Sequence, residues 1–282
     1  MSTFAAKSST DPLNKRGAGF IQFMNISFRK KNGDPSLGIA FFWKMAIEAK
    51  PPAVITDHFI PELLYDYFFI RKGKVRRIDK SRGTVLSLPR QALKTIHSRP
   101  LTFTFSTPLV LFGARLSLGF AESFWGEIKA NSFQEQAWVR GETNELESFT
   151  FQIIEHVRSH RTRRNPYPML SPALEESAWL VNFSPRHRRR LYKATFGLSR
   201  KELQNIRNVH TFLGQTCDFA SQNPRIIQHV NPEVFYDQPH LNHTFKKMTG
   251  LSPAEYFETS SILQDNLMSA SYNENSGAED KI

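Results

Sequence analysis

Two stretches of the chain decide its fold class: NFSPRHRRRLYKATFGLS at 182–199 and VFYDQPHLNHTFKKMTGLSP at 234–253. In the first, Ser184 is a helix N-cap followed by a proline at the first helical position, and Gly197 is the stop signal. In the second, Asp237 caps a helix that ends at the glycine of the same Gly-Leu-Ser ending. The sequence therefore predicts two similar short helices, each with basic and polar residues on its exposed face.

Helices of this kind suit DNA recognition, because Arg, Gln and His near a helix N-terminus can contact base edges in a major groove. Residues 170–257 resemble the DNA-binding domain of the AraC/XylS family of bacterial transcription regulators. FYDQPHLNHTFKKMTGLSPAEY is close to that family's signature over its second helix-turn-helix, and SPRHRRRLYKATFGLS matches the first. The resemblance implies two helix-turn-helix units joined by the long helix ELQNIRNVHTFLGQ at 202–215.

The resemblance also implies which side chains contact DNA, since each recognition helix would occupy one of two successive major-groove segments. Some of the matching positions read bases or line the groove, and others suit phosphates, which orient the protein without reading sequence. The base or groove positions are Arg186, Arg189 and Arg190 in the first helix and Gln238, His240, Asn242 and His243 in the second, and the phosphate positions are Lys193, Lys246 and Lys247.

Four residues depart from the family's pattern. Arg188 stands where the family usually has a buried Leu, and Val234 stands where the turn of the second unit normally carries Gly. Pro232 falls within the first helix of that unit, where proline costs roughly 3 kcal/mol. His243 replaces a common Arg and gives up a bidentate guanine contact worth about 1 to 3 kcal/mol of discrimination. We expect weaker or narrower base readout by the second unit.

The composition agrees with a nucleic-acid partner. The 282 residues carry 37 Lys and Arg against 26 Asp and Glu, a net charge of +11, which favours a polyanion, with nucleic acid ahead of an anionic membrane surface. One cysteine, Cys217, excludes an internal disulfide, and the opening MSTFAAKSST has no apolar stretch of a signal peptide. No segment approaches the roughly 18 apolar residues of a spanning helix. We expect a cytoplasmic protein with no membrane partner.

The chain changes character near RTRRNPYPML at 161–170. Before it, short runs such as LLYDYFFI and LTFTF predict strands, and after it the apolar spacing predicts helices. We therefore predict an α+β protein of two domains: a β-rich N-terminal domain, loosely resembling the family's cupin-like barrels, and an all-α C-terminal domain with two helix-turn-helix units. The predicted divisions are a flexible N-terminus at 1–19, a sensor or dimerisation domain at 20–147, a helix and linker at 148–168, the AraC-like DNA-binding domain at 169–264 and a flexible acidic tail at 265–282.

A second basic cluster, RKGKVRRIDKSR at 71–82, follows a predicted strand. Its charge density suits an anionic effector such as a nucleotide, held by a short loop. Contact with DNA phosphates beside the operator and a merely solvated hairpin tip are the alternatives. The candidate effector-binding residues are Arg71, Lys72, Lys74, Arg76 and Arg77.

Together these features predict a sequence-specific transcription regulator of the AraC/XylS type, controlled by an effector or partner at the N-terminal domain. The alternative is a partner- or nucleotide-binding adaptor on a degenerate AraC-like fold with weak DNA binding. We expect no catalytic residues, metal or cofactor, because no phosphate loop, nucleophile elbow or carboxylate pair is present, and His156 and His160 have no third ligand. Double-stranded DNA is the main expected partner, with RNA polymerase, an anionic small molecule and a second copy of the chain as further candidates.

Overall fold

The computed structural model describes residues 23–79, 82–123, 129–160, 180–216, 238–258 and 261–272. Within these ranges an eight-stranded antiparallel sheet comes from the first half and most helices come from the second. No helix in them is both long and apolar enough to cross a membrane. The strands are β1 (Phe23–Asn32), β2 (Ile39–Lys50), β3 (Val54–Phe59), β4 (Tyr65–Asp79), β5 (Thr84–Ser87), β6 (Gln91–Lys94), β7 (Leu101–Leu116) and β8 (Phe133–Glu135).

The sheet is organised around β7 and β4, which are long enough to pair with several neighbours. Its order is β1-β2-β7-β4-β6-β8, while β3 pairs with β7 and β5 pairs with β4. Strand β7 extends the predicted run LTFTF at 101–105 as far as Leu116. Strand β4 continues through the basic residues to Asp79, so the prediction of a loop there is wrong. Its pairing with Ser106 and Thr104 of β7 supplies the hydrogen bonds that hold it extended.

The two faces of the sheet belong to different cores. Neighbouring residues of a strand point to opposite faces. Accordingly, Phe42 and Phe112 join one buried cluster while Trp43 and Leu111 join the other. The first cluster includes buried side chains of most of the helices, and we call that side of the sheet the helix face. The second includes the C-terminal helix, α7, and we call that side the α7 face.

Helix α2 covers part of the helix face, and helices of the second half of the chain join the same buried cluster. Phe149 of α2 packs edge-on against Phe42, at a ring distance of 6.3 Å, and its ring lies 5.5 Å from that of Phe112. Leu191 and Leu203, from the predicted DNA-binding half, lie in the same continuous cluster, so the two halves share one core. The helices are α1 (Leu118–Ser123), α2 (Leu146–His160), α3 (Pro185–Phe196), α4 (Arg200–Thr216), α5 (Gln238–Thr249), α6 (Pro253–Glu258) and α7 (Ile262–Tyr272).

Helix α7 corrects the prediction of a flexible tail at 265–282 for residues 265–272. Its side chains Leu263, Leu267 and Ala270 are buried in the α7-face cluster, and Met268 is buried in the other. The average composition of this segment is polar, and the apolar residues stabilise a helix only because the sheet covers them. Residues 273–282 lie outside the described ranges.

A buried ionic network lies within the sheet. The Arg115 guanidinium contacts Glu62 and lies 3.0 Å from Asp66, which also accepts a 2.6 Å bond from Lys94. All four side chains are almost fully shielded from water. A buried charge is tolerated only when it is paired, so the four groups fix one another's positions. Arg115 also donates to Ser271 of α7, which connects the network to the C-terminal helix.

Candidate nucleic-acid interface

Helix α3 begins and ends where the local sequence predicts. The Ser184 hydroxyl accepts a hydrogen bond from the backbone N–H of His187 at 3.3 Å, and proline occupies the first turn. Gly197 adopts a left-handed backbone, with φ of 72°, and its N–H donates to the carbonyl of Lys193. These caps satisfy terminal backbone groups that the helix itself leaves unpaired. The sequence of α3 therefore fixes both ends of the helix.

The surface of α3 is divided between a buried apolar side and an exposed cationic side. Leu191, Tyr192 and Phe196 are buried. Arg190 lies 3.3 Å from a ring nitrogen of His187 and is otherwise open to solvent. The exposed cations, which include all the first-helix residues predicted to contact DNA, are Arg186, Arg189, Arg190 and Lys193.

Arg188 lies between these two sides. It is half-buried and lines a cavity of about 240 Å³ together with Leu180, Tyr192 and Arg200. This is the residue at which the family pattern expects a buried Leu. Its long alkyl stem can cover apolar surface while the guanidinium reaches water, so an arginine is compatible with this position.

Helix α5 shows the same division between a buried and an exposed side. Phe245 is buried against Phe212 of α4 and Tyr256 of α6, with ring distances of 5.8 and 5.4 Å. Gln238 and His240 belong to the helix, but their side chains are outside the described part of the structure, as are Pro232, Val234 and Asp237 entirely. The predicted contact residues that the structure describes as exposed are Asn242, His243, Lys246 and Lys247.

Helices α3 and α5 end in the same structural motif. After each helix a left-handed glycine is followed by Leu-Ser-x-x-Glu, and the serine and glutamate cap the next helix reciprocally. The Ser199 N–H donates to Glu202 at 2.8 Å, and the Ser252 N–H donates to Glu255 at 2.7 Å. Hydrogen bonds from these serines hold the pKa of both carboxyl groups below the ordinary value. The glycines are Gly197, with φ of 72°, and Gly250, with φ of 80°.

Glu202 and Glu255 were missed by the analysis of the sequence, although Ser-x-x-Glu is a readable capping signal. With these two residues, the similarity between the two segments extends from the helix and its Gly-Leu-Ser ending to the first turn of the following helix. The structure thus positions two exposed helices by the same local device, and both pack in the core that contains α4. The first helices of the two predicted helix-turn-helix units lie outside the described ranges, apart from a short turn at Leu180–Asn182.

The five side chains predicted to bind one small anion differ in their surroundings. Two of them are paired: Arg71 bonds to Glu142 at 3.0 Å, and Arg77 lies 3.6 Å from Asp79. The Arg77 guanidinium also lies over the ring of Phe133, 5.6 Å from its centre. These contacts reduce the capacity of both arginines to bind an added anion.

The other three, Lys72, Lys74 and Arg76, are exposed on strand β4. They are paired with Val110, Ser106 and Thr104 of β7, and the register shifts on both sides of Lys72. Alternate side chains such as those of Lys74 and Arg76 follow one another along a strand. The segment is therefore a strand, and the prediction of a loop is corrected on this point.

His156 and His160 stack on each other with 4.0 Å between ring centres, and His156 also stacks on Trp138 at 4.8 Å. Burial lowers the pKa of His156 to about 4, so the imidazole is neutral at physiological pH. No group of three His, Cys, Asp or Glu with metal-binding geometry occurs among the residues that the structure describes. Cys217 is not among those residues.

No family model and no curated protein matches the chain. Solved structures of ToxT from Vibrio cholerae are similar to it: one, at 1.65 Å resolution, is 10% identical over 83% of this chain and 98% of ToxT, with a TM-score of 0.39. ToxT from Vibrio cholerae O395 is 11% identical over 83% and 97%, with a TM-score of 0.37. Wild-type ToxT with bound unsaturated fatty acid is 11% identical over 73% and 94%, with a TM-score of 0.34. At this degree of similarity ToxT assigns neither a function nor a ligand to this chain.

Proposed function

We propose that this protein is a sequence-specific, double-stranded DNA-binding transcription regulator of the AraC/XylS type. The observation that carries the proposal is the pair of exposed helices, α3 and α5, which end in the same glycine stop and serine–glutamate restart. Each presents cationic and polar side chains to solvent while its apolar side is buried in the core that contains α4. Two such helices on one scaffold suit two successive segments of a major groove.

Control by an effector or a partner at the β-rich half is the second part of the proposal. Coupling between two sites requires an element whose arrangement both can influence. The shared core and the contacts of α7 with the sheet provide physical connections of this kind between the two halves. A regulator of this type acts in the cytoplasm, with RNA polymerase and a second copy of the chain as its candidate protein partners.

The test is duplex binding by the purified full-length chain, first to a pool of genomic fragments and then to the fragments it selects, over a range of salt concentrations. Arg190→Ala should reduce affinity for a selected site by about 1 to 3 kcal/mol and relax specificity at one or two base pairs. Lys246→Ala should weaken selected and random DNA equally, because a phosphate contact carries no sequence information. Lys129→Ala, an exposed lysine outside both helices, is the matched control.

Equal losses on selected and random DNA for Arg190→Ala would mean that this arginine binds phosphate and does not read bases. Failure of the parent protein to prefer any fragment over random DNA would overturn the proposal and favour the adaptor. In that case α3 and α5 would have the helix arrangement of the family but would not read base sequence.

A further inference from the structure

We propose that an exposed part of the helix face, on strand β4, contacts the phosphodiester backbone of duplex DNA. We name it the basic strand surface and define it by Lys72, Lys74 and Arg76. The inference rests on the proposed function, because it adds a second contact between the same regulator and its DNA. It differs from base readout in that it recognises the charge and spacing of phosphates and no sequence.

Strand register places the three cations on one side of the sheet. Lys74 is paired with Ser106 and Arg76 with Thr104. Those two β7 residues alternate with Phe103 and Phe105, which are buried in the α7-face cluster. Directly paired residues share a face, so Lys74 and Arg76 point away from that cluster. Lys72 is paired with Val110, which packs against the helix-face cluster.

The cations are exposed, and within the described ranges none of the three side chains makes a hydrogen bond or ion pair. This contrasts with Arg71 and Arg77 on the same strand, which have carboxylate partners. An unpaired ammonium or guanidinium keeps its full capacity to bind an anion. The basic segment therefore contains two arginines that are paired with carboxylates and three cations that are not.

The spacing of Lys74 and Arg76 fits a linear polyanion. These two are alternate residues of a regular stretch of strand, which recur about every 6.6 to 6.8 Å, a distance comparable to that between successive phosphates of one DNA strand. Lys72 is separated from them by a register shift at Gly73. Hydroxyl groups flank the row, since Thr104 is paired with both Arg76 and Thr56, and Ser87 is paired with Arg76 from the other side. Hydroxyls and cations are the side-chain groups that commonly contact DNA phosphates and sugars.

The charge of the wider helix face has the same sign. Register with β2 places alternate residues of β1 on this face as well. Among the described residues of β1, β2, β4 and β7 that point to this face, Glu48 is the one acidic residue. An extended positive surface favours a polyanion over a small molecule, which needs converging groups in a concave site. The exposed cations on it are Arg29, Lys31, Lys50, Lys72, Lys74 and Arg76.

The first experiment compares two triple variants of the full-length protein that lose the same charge. The test variant carries Lys72→Gln, Lys74→Gln and Arg76→Gln, and the control carries Lys129→Gln, Arg140→Gln and Arg158→Gln at exposed positions off this surface. Affinity for selected and random duplex DNA is measured against salt concentration. Each lost phosphate contact lowers the slope of log affinity against log salt by about 0.9, so the test variant should lose about 2 to 3 on both kinds of DNA. The control should lose less than one.

The second experiment locates the contact on the unmodified chain. Lysines of the parent protein are acetylated with and without duplex DNA, and the modification is quantified by mass spectrometry. Lys72 and Lys74 should be protected by DNA, whereas the exposed Lys129 should react equally in both samples. Because no residue is substituted, the result is independent of any effect of the triple variant on folding.

The outcomes separate this inference from the proposed function. If the parent protein prefers selected DNA, but the test variant keeps the parent's salt slope and DNA does not protect Lys72 and Lys74, the inference is overturned and the proposed function stands. If the parent protein shows no sequence preference but the test variant has a lower salt slope than the parent on random DNA, the inference is supported and the proposed function is overturned. An equal loss in both triple variants overturns the inference, because net charge then explains the effect. Tighter binding of single-stranded RNA or phosphatidylserine vesicles through the same three residues overturns the assignment to duplex DNA.

Discussion

Helices α3 and α7 are similar in length, but the ends of α7 are hydrogen-bonded to distant parts of the chain as well as to a neighbour in sequence. The ends of α3 are capped by its own neighbours in sequence, Ser184 and Gly197. The first N–H groups of α7 include that of Leu263, which donates to Asp57, 206 positions earlier in the chain. At its other end, the carbonyl of Ala270 accepts a bond from Lys30. A helix can therefore be encoded locally, or it can be completed by a distant part of the fold.

The difference has consequences for the environment of each helix. The exposed side of α3 is cationic and free to meet a ligand, whereas α7 is held between apolar contacts and polar groups of the sheet. Burial raises the pKa of Asp57, and burial together with the charge of Asp57 raises the pKa of Asp265 to about 7. The buried amide of Gln264 makes no hydrogen bond within the described structure. An unsatisfied amide of this kind costs about 1 to 3 kcal/mol, so the docking of α7 is not optimised for stability alone.

The largest effect should follow from removing the apolar contact of α7. Leu267→Ala should lower the free energy of unfolding by about 2 to 5 kcal/mol, because Leu267 is fully buried in the α7-face cluster and its truncation leaves a cavity. Urea denaturation followed by circular dichroism measures the change. A loss below about 1 kcal/mol would show that α7 detaches readily from the sheet.

A smaller effect is expected from the carboxyl pair at the start of α7. A carboxyl whose pKa is raised in the folded state binds its proton more tightly there, so its contribution to stability is lost as pH rises from its unfolded pKa toward about 7. Asp265→Asn removes this titration. Between pH 4 and pH 8 the free energy of unfolding of the variant should rise relative to that of the parent by on the order of 2 kcal/mol. One pKa unit corresponds to about 1.4 kcal/mol, and the effect is reduced because the group is partly exposed.

The comparison with the parent is necessary because buried histidines act in the opposite direction. Burial lowers the pKa of His97 to about 3 and that of His156 to about 4, so these groups favour the folded state as pH rises toward their unfolded pKa. Unfolding curves of both proteins across this pH range supply the difference. Parallel curves would indicate that Asp265 titrates as an ordinary exposed carboxyl.

A change at the cap of α3 should be smaller again, since it acts on a local signal. Ser184→Ala should cost about 0.5 to 2 kcal/mol by leaving the N–H of His187 without its acceptor. Ser184→Asp retains an acceptor and should restore most of the loss. Thermal unfolding of the three proteins provides the measurement, and an Asp variant as unstable as the Ala variant would contradict the capping role.

The smallest effect on folding is expected on the exposed side of the same helix. Arg189→Ala should change the free energy of unfolding by less than about 0.5 kcal/mol, because this side chain is exposed. The same variant should weaken DNA binding measurably under the proposed function. A stability loss comparable to that of Leu267→Ala would remove the contrast between the two helices and assign Arg189 to the core.

The prediction of helices α3 and α5 succeeded where short-range chemistry is sufficient. Ser184, Gly197 and the alternation of apolar and basic residues in α3 can be interpreted without a partner, and the structure confirms the helix they predict. The α5 helix is present as well, from Gln238 to Thr249. The base contacts of both helices stay predictions, as does the division of the chain into domains.

The prediction for the basic segment failed in part because its composition suggested a turn. Gly73 and a run of cations interrupt the apolar pattern of β4, yet pairing with β7 carries the strand through them. That pairing also decides that Lys74 stays available and that Arg77 meets Asp79. Neither consequence follows from the order of the residues alone.

The sequence by itself thus determined the capped helices, the β-rich first half and the excess of positive charge, since each depends on the conformational preferences of neighbouring residues or on composition. Only the tertiary structure decided that Asp57 and Lys30 would complete α7, and that a basic segment would be divided between paired and exposed cations. The physical reason is that a buried hydrogen bond or ion pair depends on which distant group the fold brings within about 3 Å, and local preference carries no information about that group.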